Sequence, residues 1–460
     1  MTRQVADLAE PSQARGEERR AVSSSRMPSR ASCPPGAGLL AIALGYAVLE
    51  SGGRSLIEWN VCLLSIGLAG LLYWYWLRPD SADRAPSLEP WLARAVVLAP
   101  AYVALQVVPL PLFLVSILSP TRAETVASLG SVMQTPTFAS LTVSAAATSP
   151  YLLNIVAFSL TFLLVREITW RSCQRHSWAP AIPLIAIAAI EAGFGLVQAA
   201  AGTDVEGTYR SKNHFAGLLE MVLPITVACA IALLHDKRFR GGASPRLCAL
   251  GGCALFGVAG VMLLGLVYSR SKMGFVAGLW GLFVMGALGL AIALRGAKKW
   301  LSLLGLAASC LLVFLFLPTD RLVSDFERLF SHDIATGEGR WPIWLDSLRL
   351  LSAYPLFGCG LGNYGTAFLK HQTAVVDFAF LFAHNDYLQL ASELGALGFS
   401  IFAGLMLFAL MRAIRAATQG RDWNTRALGL GCAGAMAAIS VHSLAAVSYT
   451  HLTLPTILRV

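Results

Sequence analysis

The 460 residues are 56% hydrophobic and only 13% charged, where an ordinary soluble domain carries roughly a quarter charged residues. This excludes a soluble globular chain and points to a polytopic helical membrane protein. The net charge of +9, from 35 basic and 26 acidic side chains, would suit a nucleic-acid partner, but its distribution along the chain excludes that use. Of nine cysteines, only Cys359 stands outside the apolar runs, their flanks and the N-terminal tail, so neither a disulfide framework nor a metal-ligand spacing follows.

Residues 1–35 hold six Arg and four acidic residues among Ser and Pro and read as a disordered tail on the cytoplasmic side. Apolar segments follow at 37–50, 56–77, 91–118, 150–166, 180–201, 214–234, 246–268, 274–294, 300–317, 387–411 and 427–447. These give eleven candidate spans, the third of which contains Pro109 and Pro111 and is expected to break or re-enter. The organisation expected is a tail (1–35), nine spans (36–317), a long outer loop (318–386), two further spans (387–447) and a last segment (448–460). Tyr449 to Thr456 resembles translated adapter sequence, so the final segment is left out of fold reasoning.

Basic residues in alternate loops set the orientation. One set, from Arg78 and Arg84 to Arg412, Arg415, Arg421 and Arg426, holds sixteen; the short loops of the other set hold six. The first set and the N-terminus are therefore expected in the cytoplasm, with the 318–386 loop outside. This asymmetry accounts for most of the positive charge.

Four of the six exceptions are paired. Arg210 and Lys212 lie in Thr208-Tyr209-Arg210-Ser211-Lys212-Asn213-His214, and Arg270 and Lys272 lie in Ser269-Arg270-Ser271-Lys272-Met273-Gly274. A helix N-terminus with two cations is an anion site; the rival reading is snorkelling to lipid phosphates. Glu191 with Gln198, and Asn213 with Glu220, are seven apart and share helix faces, where they either serve a site or bridge helices.

In the long loop, Asp320–Phe330 and Trp341–Leu351 carry helical periodicity, with Pro342 suited to a first turn. Arg340 precedes the second stretch. The glycines of Tyr354–Tyr364 lack the strand a nucleotide loop needs, so a tight turn into a short helix at Asn363 is expected instead. His384-Asn385-Asp386 then opens an apolar helix that Asn385 or Asp386 can cap. Asp386, Gln389 and Glu393 share one face. His384, at the positive end of the helix dipole, is expected to be neutral and able to accept a proton.

These blocks occur in an order that resembles the O-antigen ligase and polymerase family of bacterial inner-membrane proteins. They are Tyr209–Gly217, Ser269–Gly274, Arg340 with Trp344, Pro355–Gly362 and, most specific, His384-Asn385 followed after nine residues by Gly395-x-x-Gly398-Phe399. The resemblance covers residues 180–447; the first four spans are generic. It implies an all-α bundle of eleven to twelve transmembrane helices with a large periplasmic loop containing short helices, similar to the C-type membrane glycosyltransferases. It further implies transfer of a glycan from an undecaprenyl-diphosphate carrier to a lipid A-core, polysaccharide or protein acceptor at the periplasmic face. His384 would be the general base, and Arg210 and Arg340 would belong to the catalytic set. Lys212, Asn213, Arg270, Lys272, Asn385 and Glu393 would bind or support substrate, with Glu393 orienting Arg or His from behind. No cofactor and no metal are expected, since cationic side chains take the metal's part. The chain departs from the family in its short C-terminal end and its polar N-terminal tail. The competing readings are a small-anion transporter of the bicarbonate type and a non-catalytic envelope-assembly subunit. A transporter should show inverted repeats with broken helices, and no such pairing is visible in the sequence.

Overall fold

The computed structural model describes residues 45, 46 and 48, then 56–75, 87–132, 134–173, 178, 180–235, 244–317, 340–373 and 380–445. The N-terminal tail, most of the first apolar segment, the Asp320–Phe330 stretch and the last segment fall outside these residues.

Helix α1 spans Leu56–Tyr75 and α2 spans Pro90–Val107. The third apolar segment breaks here, as its prolines imply. A two-residue strand, β1 (Leu110–Pro111), follows, then the short helices α3 (Leu112–Leu118) and α4 (Pro120–Ser128). Strand β2 (Phe138–Ala139) pairs antiparallel with β1, Leu110 opposite Ala139. The long helices α5 (Ala145–Cys173), α6 (Ala181–Ala200), α7 (Lys212–His235), α8 (Pro245–Tyr268), α9 (Lys272–Ala293) and α10 (Gly296–Phe316) come next. The expected loop helix is α11 (Trp341–Ala353), and the turn at Asn363 leads into α12 (Tyr364–Phe368). Helices α13 (Asp386–Gln419) and α14 (Trp423–His442) complete the described fold. Eight of these helices are long and apolar enough to cross a membrane: α2, α5 to α10 and α13.

Helix α7 is the axis of the bundle. Every residue from Phe215 to Pro224 is buried, so the helix is enclosed all round rather than on one stripe, with Glu220 as the one ionisable side chain in the stretch. It packs against α6, α8, α9 and α14, while α14 also packs on α9 and α13. Close approach needs small residues, because lipid supplies no hydrophobic drive for helices to associate. A Cβ on Gly281 of α9 would lie 2.7 Å from the Gly434 carbonyl of α14, and one on Gly434 would lie 2.8 Å from the Gly281 carbonyl. Helix α10, by contrast, has no buried residue and rests on α9 alone among its major contacts.

Helix α13 is not one helix. Gly395 sits at φ 65°, ψ −177°, and the turn there unwinds. The carbonyls it releases are met by the glycine-rich loop: Cys359 N–H donates to Ser392 O at 2.9 Å and Gly360 N–H to Glu393 O at 3.0 Å. Below the break, Ala396 N–H donates to Pro355 O at 2.8 Å and Leu397 N–H to Leu356 O at 3.2 Å. Gln106 Nε2 on α2 donates to Glu393 O at 3.0 Å, and the Tyr102 hydroxyl donates to Leu394 O. The Gly-x-x-Gly pattern therefore reports a break sealed by a second segment of chain.

A Cβ on Gly395 would run into the backbone of Leu356 and Gly358 at a φ that side chains rarely adopt. Gly404, in the same helix, has open space around it. Gly395→Ala should cost at least about 2 kcal/mol from the left-handed backbone and the clash together, whereas Gly404→Ala should stay within about 1 kcal/mol of the parent. Thermal unfolding of the two purified variants in detergent, followed by tryptophan fluorescence, checks this.

Candidate functional site

Among the described non-glycine residues, three have positive φ: Arg210 at 51°, Arg270 at 55° and His384 at 53°. Each stands two residues before a long helix, with Ser211, Ser271 and Asn385 between. Ser271 Oγ accepts from Gly274 N–H at 3.3 Å, and Asn385 Oδ1 accepts from Leu388 N–H at 3.0 Å, so both act as N-caps. A left-handed residue followed by an extended cap turns the chain sharply into the helix. The side chain before the cap is then held at the end where the free N–H groups lie. Left-handed backbone costs about 1–2 kcal/mol for a residue with a Cβ, and the three costs fall at the same kind of position, before a helix start.

The charges oppose local stability as well. Helix N-termini favour anions by about 0.3–1 kcal/mol per charge and disfavour cations similarly. Yet α7 and α9 start with lysines, Lys212 and Lys272, each with an arginine two residues earlier and no acidic residue in the first turn. Four cations thus stand at two positive helix ends, an arrangement that opposes folding unless an anion offsets it.

The structure ties these turns together. Ser271 Oγ donates to Asn213 Oδ1 at 2.9 Å, joining the starts of α7 and α9, and Gly274 faces Ala216 so closely that a Cβ would not fit. Arg340, at the start of α11, donates to the Ala445 carbonyl beyond α14. Asp386 N–H donates to Ser443 O at 2.9 Å, and Tyr387 OH to Ser440 O at 2.8 Å. Thus Arg340 and the His384 turn are both seated on the last carbonyls of α14.

His384 is half-buried. The peptide before it is clamped on both sides: Gln389 Oε1 accepts from Ala383 N–H at 3.0 Å, and Trp344 Nε1 donates to Ala383 O at 3.0 Å. Burial, and secondarily the Arg340 guanidinium, pull its imidazole pKa down to about 4. The neutral form expected from the helix dipole is therefore the form present, with burial as the larger cause.

The remaining expected residues have other partners. Arg210 and Lys212 are exposed, and Arg270 and Lys272 are half-buried. Glu393 is 1% exposed and lies two turns into α13. Its Oε2 accepts from Gly362 N–H at 2.7 Å and its Oε1 from Tyr364 N–H at 3.1 Å, so it grips the glycine loop. Gln389 Nε2 reaches Glu393 Oε1 at 3.3 Å, which realises the shared polar face of α13. Glu191 and Gln198 grip the segment before Arg210. Thr208 donates to both Glu191 oxygens, and Gln198 Oε1 accepts from Gly207 N–H at 2.9 Å. Two contributors are not singled out by the sequence reading. Gln106 fixes the loop through Phe357 O at 2.7 Å and Leu361 N–H at 3.1 Å, and His442 meets Glu220 in the bundle. Each is a polar residue inside an otherwise apolar span, which is the signal that identifies it.

This is a multi-pass helical membrane protein. Residues 257–403 match the O-antigen ligase family. The matched stretch contains Arg270, Lys272, Arg340, His384, Asn385 and Glu393; Arg210, Lys212 and Asn213 precede it. No curated protein matches the chain.

The His384 titration carries a signed expectation. Its folded pKa lies below the ordinary histidine value of about 6.5, so the folded state binds fewer protons than the unfolded state between these values. Stability from this group is present above pH 6.5 and is lost as pH falls toward 4. Carbethoxylation of His384, read by mass spectrometry, should therefore stay rapid from pH 7 to about 5 in the unliganded protein. In Arg340→Ala the inflection should move up but stop short of the ordinary value, because burial remains.

Proposed function

We propose that this protein transfers a glycan from an undecaprenyl-diphosphate carrier to a lipid A-core or polysaccharide acceptor at the periplasmic face of the bacterial inner membrane. The match of residues 257–403 to the O-antigen ligase family supports ligase- or polymerase-type glycan transfer in general. The observation that carries the finer reading is the set of left-handed turns at Arg210, Arg270 and His384, which put two cations and a neutral imidazole at helix N-termini. The basic-residue asymmetry supports the periplasmic assignment.

In this mechanism Arg210, Arg270 and Arg340 hold the diphosphate, with Lys212 and Lys272 adding charge. The acceptor hydroxyl oxygen attacks the anomeric carbon as the bond from that carbon to the phosphate oxygen breaks. The proton passes to His384, and undecaprenyl diphosphate leaves. Direct displacement inverts the anomeric centre. Each charge-assisted hydrogen bond to the leaving group is worth about 1.5–3 kcal/mol, and the base about 100- to 10,000-fold in rate. Asn213 and Asn385 set the starts of the helices, and Glu393 sets the loop. The binding residues thus rest on supports that need not touch substrate.

Reconstituted protein with a labelled undecaprenyl-diphosphate oligosaccharide tests the reading. His384→Ala should lower kcat by about 100- to 10,000-fold with donor affinity retained. Arg210→Ala should weaken donor binding, by about tenfold or more for the loss of one charge-assisted contact. Wild-type protein that binds the donor but neither transfers nor hydrolyses it would sink the enzyme reading in favour of a transporter or an assembly subunit.

A further inference from the structure

Inside the bundle lies an acid–base pair that the mechanism does not use. Glu220 of α7 and His442 of α14 are both 0% exposed, and Glu220 Oε2 lies 2.6 Å from His442 Nδ1. Local sequence prepares this contact. Pro224, four residues after Glu220, has no N–H to give to the Glu220 carbonyl, so the helix ladder is interrupted at the turn that carries the carboxylate. Gly434 of α14 leaves room for the Pro224 ring, where a Cβ would come within 2.8 Å of it. Gly278 of α9 stands beside Glu220, its Cβ position 3.7 Å from the Glu220 Cβ.

The position of this pair gives it a further consequence. Helix carbonyls at a C-terminus have no partner within the helix. At the end of α14 and in the turn just after it, the carbonyls of Ser440, Ser443 and Ala445 are taken by Tyr387 OH, Asp386 N–H and Arg340. His442 sits among them. Seven residues before Glu220, at about 10 Å along the helix, Asn213 holds the cap of α9. The Glu220–His442 bond therefore joins the element bearing Arg210 and Arg270 to the turn that seats Arg340 and His384.

We propose that Glu220 and His442 are positioning residues: their hydrogen bond fixes the last turn of α14 against α7 and so keeps Arg340 and His384 in register with the Arg210 and Arg270 turns. The inference rests on the reading of those four residues as one site. Neither member of the pair touches substrate. A pair that served packing alone would be a familiar device in membrane bundles, and the test must separate the two roles.

Hydrogen exchange of the full-length protein in nanodiscs, read by mass spectrometry, needs no substrate. Glu220→Ala and His442→Ala should speed exchange at residues 384–389 and 340–347, far from either substitution in sequence. The same variants should lose about 10- to 100-fold in kcat with little change in donor KM, as small misplacements of reacting groups do. His442→Asn, whose amide nitrogen can stand where Nδ1 stood, should restore both readouts. Acceleration confined to residues 216–224 and 436–443, with kcat intact, would overturn the proposal and leave a packing role. If the alanine variants do not fold, Glu220→Gln and His442→Leu carry the same comparison: together they should alter exchange at 384–389 less than the sum of the two singly, and strict additivity would also overturn it. Should wild-type protein transfer no glycan, the proposed function fails while the exchange result still decides whether the pair holds the two halves together.

Discussion

Inside a bilayer no water is available for an unpaired backbone group, so every break or end of a helix must be closed by the protein itself. The architecture follows from how this chain meets that demand. The last carbonyls of α14 are closed by Arg340, by the first N–H of α13 and by Tyr387. The carbonyls freed at Gly395 are closed by Gln106, Tyr102 and the Cys359–Gly360 backbone. The residues that complete the backbone are the same ones that place the site. Arg340 and His384 are positioned by helix-end chemistry, and their support is as firm as the bundle.

At the starts of α7, α9 and α13 the usual preferences are reversed. Ser271 and Asn385 cap α9 and α13, but Arg210, Arg270 and His384 take left-handed backbone, and lysines follow at the first helical positions of α7 and α9. Local terms of about 1 kcal/mol each run against folding here. A buried apolar axis in α7 outweighs them. Local preference and global fold are in conflict at these helix starts, and the global fold prevails.

The sequence made the local features legible and left the distant ones hidden. Asn385 as a cap, α11 opening at Trp341-Pro342 and the turn at Asn363 each depend on residues a few positions apart, and each stands where the sequence places it. The break in the third apolar segment follows from its prolines. The break in α13 does not, because Gly395 and Gly398 read equally well as a close helix–helix contact; only the glycine loop more than 30 residues earlier shows that the helix opens. Gln106 lies about 250 residues from Phe357, and Glu220 lies 222 from His442. No periodicity connects such pairs. The two arginine turns could be read as anion sites from charge alone, whereas their shared backbone conformation with His384 needed three dimensions.

The broken helix has one more implication. A helix interrupted within a membrane commonly presents its loose carbonyls to a passing cation, and the interruption can then flex as the ion comes and goes. Here the carbonyls of Ser392, Glu393 and Leu394 are all occupied by donors from the chain. Ala396 and Leu397, on the far side, are bonded to the same loop. The interruption is a welded elbow: it fixes the angle between the two parts of α13.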